Sequence, residues 1–333
     1  FIILYIAVTS TDVAPIAEGI TRGIAAVRAA QPMRKPVYIG WMVESDRERR
    51  FALPTETIPT FSIPELPARV LGTITDYVQW RDRPLGMVPD FDDLNLPAVQ
   101  TICRDVLATR GGGWLTVSET RAVLSAMAIA LPPGGVATSA EEAATLAAQI
   151  GFPVAVKLAS HTLVHKTEIG GVQLNLANKA EVRRAYDDIA ARLAEGRHLE
   201  SMEGVLVQPM VKDGVEVMAG MVQDPSFGPL IGFGLGGIHV EILGDVRFRI
   251  TPLTELDAGD LIRSIKGYRL LQGYRGHPPA DVDAIQELLL RLSRLVEEVP
   301  EIVELDLNPI FALAPGEGYR IVDARIRVGG KNP

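Results

Sequence analysis

At 333 residues, 47% of them apolar, the chain is long enough for about two domains with buried cores. Its formal charge of −8 argues against a nucleic-acid partner, which demands a basic face. The one cysteine, Cys103, excludes an internal disulfide and suits a reducing cytoplasm.

The chain opens on "FIILYIAV", an apolar run far short of the roughly 20 residues that span a bilayer. Neither the basic start nor the cleavage site of a signal peptide accompanies it. It reads as a buried strand and, with no Met before it, as the start of a piece of a longer polypeptide. Next, "VAPIAEGITRGIAAVRAA" repeats apolar residues three and four apart, the period of an amphipathic helix. "KPVYIGWMV" and "IPTFSI" read as strands and "IPELPARVLGTITDYVQW" as a helix, so the first 88 residues predict a parallel sheet flanked by helices. "ESDRERR" reads as a solvated helix face. "RDRPLGMVPDFDDLNLP", rich in Pro and Asp, reads as a linker.

Beyond it, helices are expected over Pro97–Leu107 and Val117–Ile129, with Cys103 in the apolar pattern of the first. Ser139 and Glu142 have the spacing of a capping box ahead of a helix ending at Ile150. "GFPVAVKLA" is a strand, and "GVQLNLA" another. "KAEVRRAYDDIAARLAEG" is a helix, Gly204 to Ile250 is strand-like, and Val282–Val299 is a helix. Two strands close the chain, "EIVELDLNPIFAL" and "YRIVDARIRV", joined by "APGEG".

Three stretches carry candidate chemistry. Lys157 ends a strand, where an ammonium is costly to bury without an anion. Phosphates would serve, and a side chain reaching solvent is the plain alternative. The following loop, "HTLVHKTEIGGV", holds His161 and His165 ahead of Gly170 and Gly171. Paired glycines let backbone N–H groups approach an anion, and a neutral imidazole can act as a covalent nucleophile; the plain reading is a turn with surface histidines. "GFGLGGIHVEILGD" has glycines that lead into a strand-like run, not a helix, which rules out a dinucleotide fingerprint. In "ELDLNPI", Glu304, Asp306 and Asn308 alternate with Leu305 and Leu307, so the three polar side chains share one face of a strand. A hairpin would bring Asp323 beside Asn308, a plausible pair of oxygen ligands for Mg²⁺. His198, His239 and His277 have no ligand spacing and read as surface or structural residues.

Taken together, "GFPVAVKLAS", "HKTEIGGVQLNL", "VLVQPMV", "GVEVMAGMVQDPSFGPLIGFGLGGIHVEILGD" and "EIVELDLNPI" resemble, in order and spacing, the ATP-grasp domain of the ADP-forming acyl-CoA synthetases. That family includes ADP-forming acetate–CoA ligase. The likeness runs from about Thr116 to Val328. It implies a partial flavodoxin-like α/β domain over residues 1–88, a linker and helix over 89–115, and a two-lobed ATP-grasp domain with lobes at 116–201 and 202–330. It implies that Lys157 contacts nucleotide phosphates and that His165 carries phosphate. Gly170 and Gly171 would bind phosphate, and Gln208, Pro209, Met210 and Val211 would form the hinge that receives adenine. Glu216 would contact the ribose or a loop, and Asn308 and Asp323 would hold Mg²⁺ with Asp306 nearby. The implied ligands are ATP or ADP, Mg²⁺, CoA and a small carboxylate, with no nucleic acid and no membrane. The implied reaction converts ATP, a carboxylate and CoA to ADP, phosphate and acyl-CoA through an acyl phosphate and a phosphohistidine.

Thr167-Glu168 stands where the family often has Ser-Asp, and neither the family's CoA-binding Rossmann domain nor its second histidine domain is found in the 333 residues. This portion alone is therefore expected to load phosphate without making acyl-CoA. It would work as a homo-oligomer or as part of a larger fused chain in the cytoplasm. The rival readings are a regulatory synthetase-like module of a protein lysine acetyltransferase, or another ATP-grasp ligase.

Overall fold

The computed structural model describes residues 2–6, 14–30, 36–41, 51–63, 65–163, 169–237, 244–276 and 278–330. The chain divides into two compact units, 1–84 and 85–333. The "ESDRERR" run, His165, His239 and His277 lie outside the described residues.

In the first unit, β1 (Ile2–Ile6), β2 (Val37–Trp41) and β5 (Thr60–Phe61) form a parallel sheet in the order β1-β2-β5. α1 (Ala14–Ala30) connects β1 to β2, as parallel strands require. β3 (Phe51–Ala52) and β4 (Thr57–Ile58) form a small antiparallel ribbon, and α2 (Glu65–Arg81) closes the unit. Ala17, Ile39, Trp41, Phe51 and Ile58 make its core.

The second unit holds two antiparallel sheets. In chain order its elements are α3 (Leu96–Arg110), β6 (Gly113–Trp114), α4 (Val117–Ala126), β7 (Gly135–Ala137), α5 (Ala140–Ile150), β8 (Val154–Ala159), β9 (Val172–Leu176), α6 (Lys179–Glu195) and β10 (Gly204–Pro209). There follow β11 (Val215–Asp224), β12 (Gly228–Leu235), β13 (Val246–Ile250), α7 (Glu255–Arg263), α8 (Tyr268–Leu271), α9 (Val282–Glu298), β14 (Ile302–Ala312), β15 (Tyr319–Ile321) and β16 (Ala324–Val328). The smaller sheet runs β7-β10-β8-β9. Its Val154, Val156, Leu158, Val205 and Val207 pack under α5 and α6. Ala143, Ala144 and Ala147 are the buried face of α5, small enough for close approach to the sheet. The strand 204–209, assigned by sequence to the second lobe, is thus a central strand of the first sheet.

The larger sheet runs β13-β12-β11-β14-β16-β6, with β15 paired to β14. One face is covered by a core to which α3, α4, α7 and α9 contribute, with Ile285, Leu288, Leu289, Leu292 and Leu295 forming the stripe of α9. Each such buried side chain contributes roughly 1.5–3 kcal/mol. Cys103 is fully buried here, and burial pushes its thiol up to about 12, so it is core and not a nucleophile.

Three expectations need correction. The capping box at Ser139 is half formed: Ser139 Oγ accepts the Glu142 N–H at 3.2 Å, but the Glu142 carboxylate accepts from Thr138 N at 2.7 Å. Complete boxes occur instead at Thr116/Glu119 and Thr254/Asp257. "YRIVDARIRV" is two strands, broken at Val322-Asp323. The Pro- and Asp-rich stretch is not a free linker over its later part, where Phe91 and Leu94 pack on the core.

Arg291 holds that stretch down. It lies on α9 with 7% exposure, forks onto both Asp93 oxygens at 2.9 Å, bonds Glu287 and the Met127 carbonyl, and stacks 4.4 Å from the Phe91 ring centre. Replacing Arg291 with Leu should cost about 2–3 kcal/mol, because Asp93 and Glu287 stay half exposed and can rehydrate. The Arg291 hydrogen bond holds the Asp93 carboxyl below its usual value. That contribution is present above the unfolded-state carboxylate range and is lost as pH falls through the lowered folded value. Urea midpoints of the Leu variant should therefore fall less steeply in acid than those of the native chain, and parallel curves would contradict this role.

Candidate functional site

Side-chain alternation in β8 sends Val154, Val156 and Leu158 under the helices and Ala155 and Lys157 to the opposite face. Lys157 is buried, at 7% exposure, and its Nζ donates to the Val322 carbonyl at 2.8 Å. Gln208, opposite Ala155 on β10, donates from Nε2 to the same carbonyl at 3.2 Å. One carbonyl of the larger sheet thus receives two side chains from the smaller one. After Pro209, which has no N–H, the Met210 N–H is taken by the Pro153 carbonyl at 3.1 Å.

The break between β15 and β16 frees the Val322 carbonyl from the ladder. Around it, Asn308 N donates to Asp323 O at 3.2 Å and Val322 N donates to Pro309 O at 2.9 Å. These two bonds bring Asn308 and Asp323 side by side, though Asp323 sits in the break and not on a strand as expected. A cleft of about 480 Å³ lies between the sheets. Lys157, Gln208, Pro209, Met210, Val211, Asn308 and Asp323 all line it. Its remaining walls include Leu174 and Phe311, two apolar side chains, and Arg325.

Beside the cleft, Asp306 lies directly across from Arg325 in the β14–β16 ladder. Burial pushes its carboxyl up to about 6; Arg325 opposes this, and Asp323 and Glu304 add to it. Arg325 also lies 3.5 Å from the Asp323 carboxylate. Glu304 pairs with Arg327 at 2.9 Å. Among the described residues no group of three or more His, Cys, Asp or Glu side chains could hold a metal ion by itself. An amide oxygen from Asn308 and a carboxylate from Asp323 suit an ion that takes its other ligands from phosphates and water.

Four expected residues stand apart from the cleft wall. Asp306 is not among the lining residues. The Gly170 carbonyl accepts from Arg192 at 2.8 Å, and the Gly171 carbonyl accepts from Leu158 N at 2.7 Å. Glu216 packs against Gly236 and Gly237, where a Cβ on Gly237 would come within 2.6 Å of the Glu216 carboxylate. His161 is bound to Glu203 through Nδ1 and does not line the cleft. The sequence reading missed Arg325, Phe311 and Leu174. Arg325 was legible as the second residue after Asp323, on the same side of an extended chain. Phe311 and Leu174 gave no signal apart from ordinary core residues.

A protein-family model described as an ATP-grasp domain matches residues 106–328. The chain is 43% identical to the Pyrococcus furiosus "Acetate--CoA ligase [ADP-forming] II subunit beta" over 230 residues, 69% of this chain and 97% of that protein. It is 38% identical to the Archaeoglobus fulgidus "Acetate--CoA ligase [ADP-forming] I" over 291 residues, 86% of this chain but 41% of the relative's length. Among solved structures, it resembles Ca. Korarchaeum cryptofilum dinucleotide-forming acetyl-coenzyme A synthetase 1, with TM-score 0.59 and 39% identity over 68% of this chain and 99% of that one. That structure is described as a complex with coenzyme A and Mg-AMPPCP whose phosphohistidine segment points towards the nucleotide-binding site.

Proposed function

Because this chain belongs to the ATP-grasp family, we propose that the cleft between its two sheets binds Mg·ATP or Mg·ADP as the nucleotide portion of an ADP-forming acyl-CoA synthetase. The observation that carries the reading is the convergence of Lys157, Asn308 and Asp323 on one cleft walled by Gln208–Val211. In this reading the Lys157 ammonium exchanges the Val322 carbonyl for a phosphate oxygen. The Asn308 amide oxygen and the Asp323 carboxylate would hold the cation, with Asp306 nearby. The cation's contribution is to neutralise and orient the phosphate oxygens. The segment 208–211 takes the adenine edge by its backbone. With Pro209 lacking an N–H and the Met210 N–H engaged, Val211 supplies the donor. His165 attacks the γ-phosphorus with a neutral ring nitrogen; the N–P bond forms, the bond to the bridging oxygen breaks, and ADP leaves with that electron pair. Gly170 and Gly171 would support the phosphoryl group through their N–H groups, and Glu216 would meet the ribose or the glycine turn beside it.

The relatives' names support acetate or a similar small carboxylate and CoA as the other substrates, in a larger fused or multi-subunit synthetase. Among the described residues no helix is long and apolar enough to cross a membrane. The single cysteine supports a cytoplasmic setting.

Calorimetry with Mg·ATP tests the reading. Lys157→Ala should weaken binding roughly 10- to 100-fold, the worth of one charge-assisted contact to phosphate. An affinity within twofold of the native chain would defeat the assignment.

A further inference from the structure

From Leu261 to Ala280 the chain carries Arg263, Lys266, Arg269 and Arg275 and no Asp or Glu, although the protein is acidic overall. Arg263 is paired with Asp260. Among the described residues Arg269 and Arg275 are not paired in this way. Both guanidinium groups lie over the ring of Tyr274, at 5.6 and 5.4 Å from its centre, and all three residues are exposed. Among the described residues neither arginine has a carboxylate partner.

The base under this head is fixed. Lys266 N and Gly267 N both donate to the buried Asp245 carboxylate at 2.7 Å. Gly267 sits so close to Leu235 that a Cβ would lie 2.2 Å from it. On the far side, Ala280 N donates to Leu271 O and Asp281 N to Leu313 O. Between these anchors the chain turns through left-handed backbone at Gly273, Arg275 and Gly276. For a long side chain such as Arg275 that conformation is strained, and here the guanidinium lies back over the ring. Leu235 and Leu313 also locate the head, at the same end of the larger sheet where Phe311, paired with Glu216, lines the cleft.

Two like charges held on one ring, with no carboxylate partner among the described residues, repel each other until an anion joins them. Guanidinium forks match phosphate oxygens, and a ring that pre-sets both forks lowers the entropy lost on binding. We propose that Arg269, Tyr274 and Arg275 form a second anion site, which takes the phosphoryl groups of a ligand other than the nucleotide in the cleft. Inorganic phosphate species and the phosphates of a nucleotide-bearing thiol such as CoA share this chemistry.

The probe is pyrophosphate, titrated calorimetrically into the chain. The double variant Arg269→Gln, Arg275→Gln should lose at least tenfold in pyrophosphate affinity and keep Mg·ATP affinity within twofold. Its melting temperature should not move, because both side chains are exposed. Tyr274→Leu should lose affinity by a smaller factor. Lys157→Ala should bind pyrophosphate as the native chain does, which separates this site from the cleft: unchanged Mg·ATP binding in Lys157→Ala would sink the cleft reading and leave this one standing. Competition by CoA would identify the thiol as the source, and competition by phosphate alone would identify the inorganic ion. Absence of pyrophosphate binding to the native chain, its survival in the double arginine variant, or its loss in Lys157→Ala would each overturn the proposal.

Discussion

Incubation with γ-labelled ATP and Mg²⁺ should place an acid-labile, base-stable label on His165, and His165→Ala should abolish it. The expected effect is complete, because a covalent carrier has no partial substitute. The competing acceptor is His161, four residues earlier. Its Nδ1 is committed to Glu203, and its backbone N–H donates to the same carboxylate oxygen at 3.3 Å. The ring is tethered at the start of the loop and absent from the cleft wall. Phosphopeptide mapping decides between them. A label on His161, or one that survives in His165→Ala, ends the assignment. No label at all would favour a module that binds nucleotide without transferring phosphate.

Asp323→Asn should weaken nucleotide binding roughly 100-fold in Mg²⁺ and less than threefold in EDTA. Replacing even an outer partner of a metal ligand commonly costs 10–100-fold, and a direct ligand belongs at the upper end. Asn keeps the shape of the side chain, and the backbone bond from Asn308 N to Asp323 O does not depend on it. The substitution therefore removes charge while leaving the fold of the break in place. Equal losses with and without Mg²⁺ would move Asp323 out of the metal set and into direct contact with the nucleotide.

Much of the cleft was legible because a strand's alternation is local information. Lys157 at a strand end and Asn308 on the polar face of its strand were legible in this way, Gln208 came only through the family resemblance, and all three line the cleft. Asp323 was legible as a residue but not as a place: nothing in "YRIVDARIRV" marks a break, which exists because Asn308-Pro309 zips onto Val322-Asp323 through the backbone. The helices 255–263 and 268–271 were missed, the second being a single turn held by Asp245 from another element. The stretch around Asp93 was read as a linker because its partner, Arg291, lies 198 residues away. Strand 204–209 joined the smaller sheet for the same kind of reason, since pairing with residues 154–159 is a long-range choice that composition does not record.

The Val322 carbonyl has a consequence for how the cleft can vary between proteins. It joins the two sheets by receiving Lys157 and Gln208, yet it belongs to the backbone. No replacement of the valine side chain deletes it, so a scan that truncates residues one at a time would score position 322 as dispensable. The strength of this clasp is open to inheritance only from the donor side, through the two codons for Lys157 and Gln208. Of these, Lys157 is the donor proposed to leave the carbonyl for a phosphate, so the Gln208 bond is the half of the grip that does not depend on that exchange.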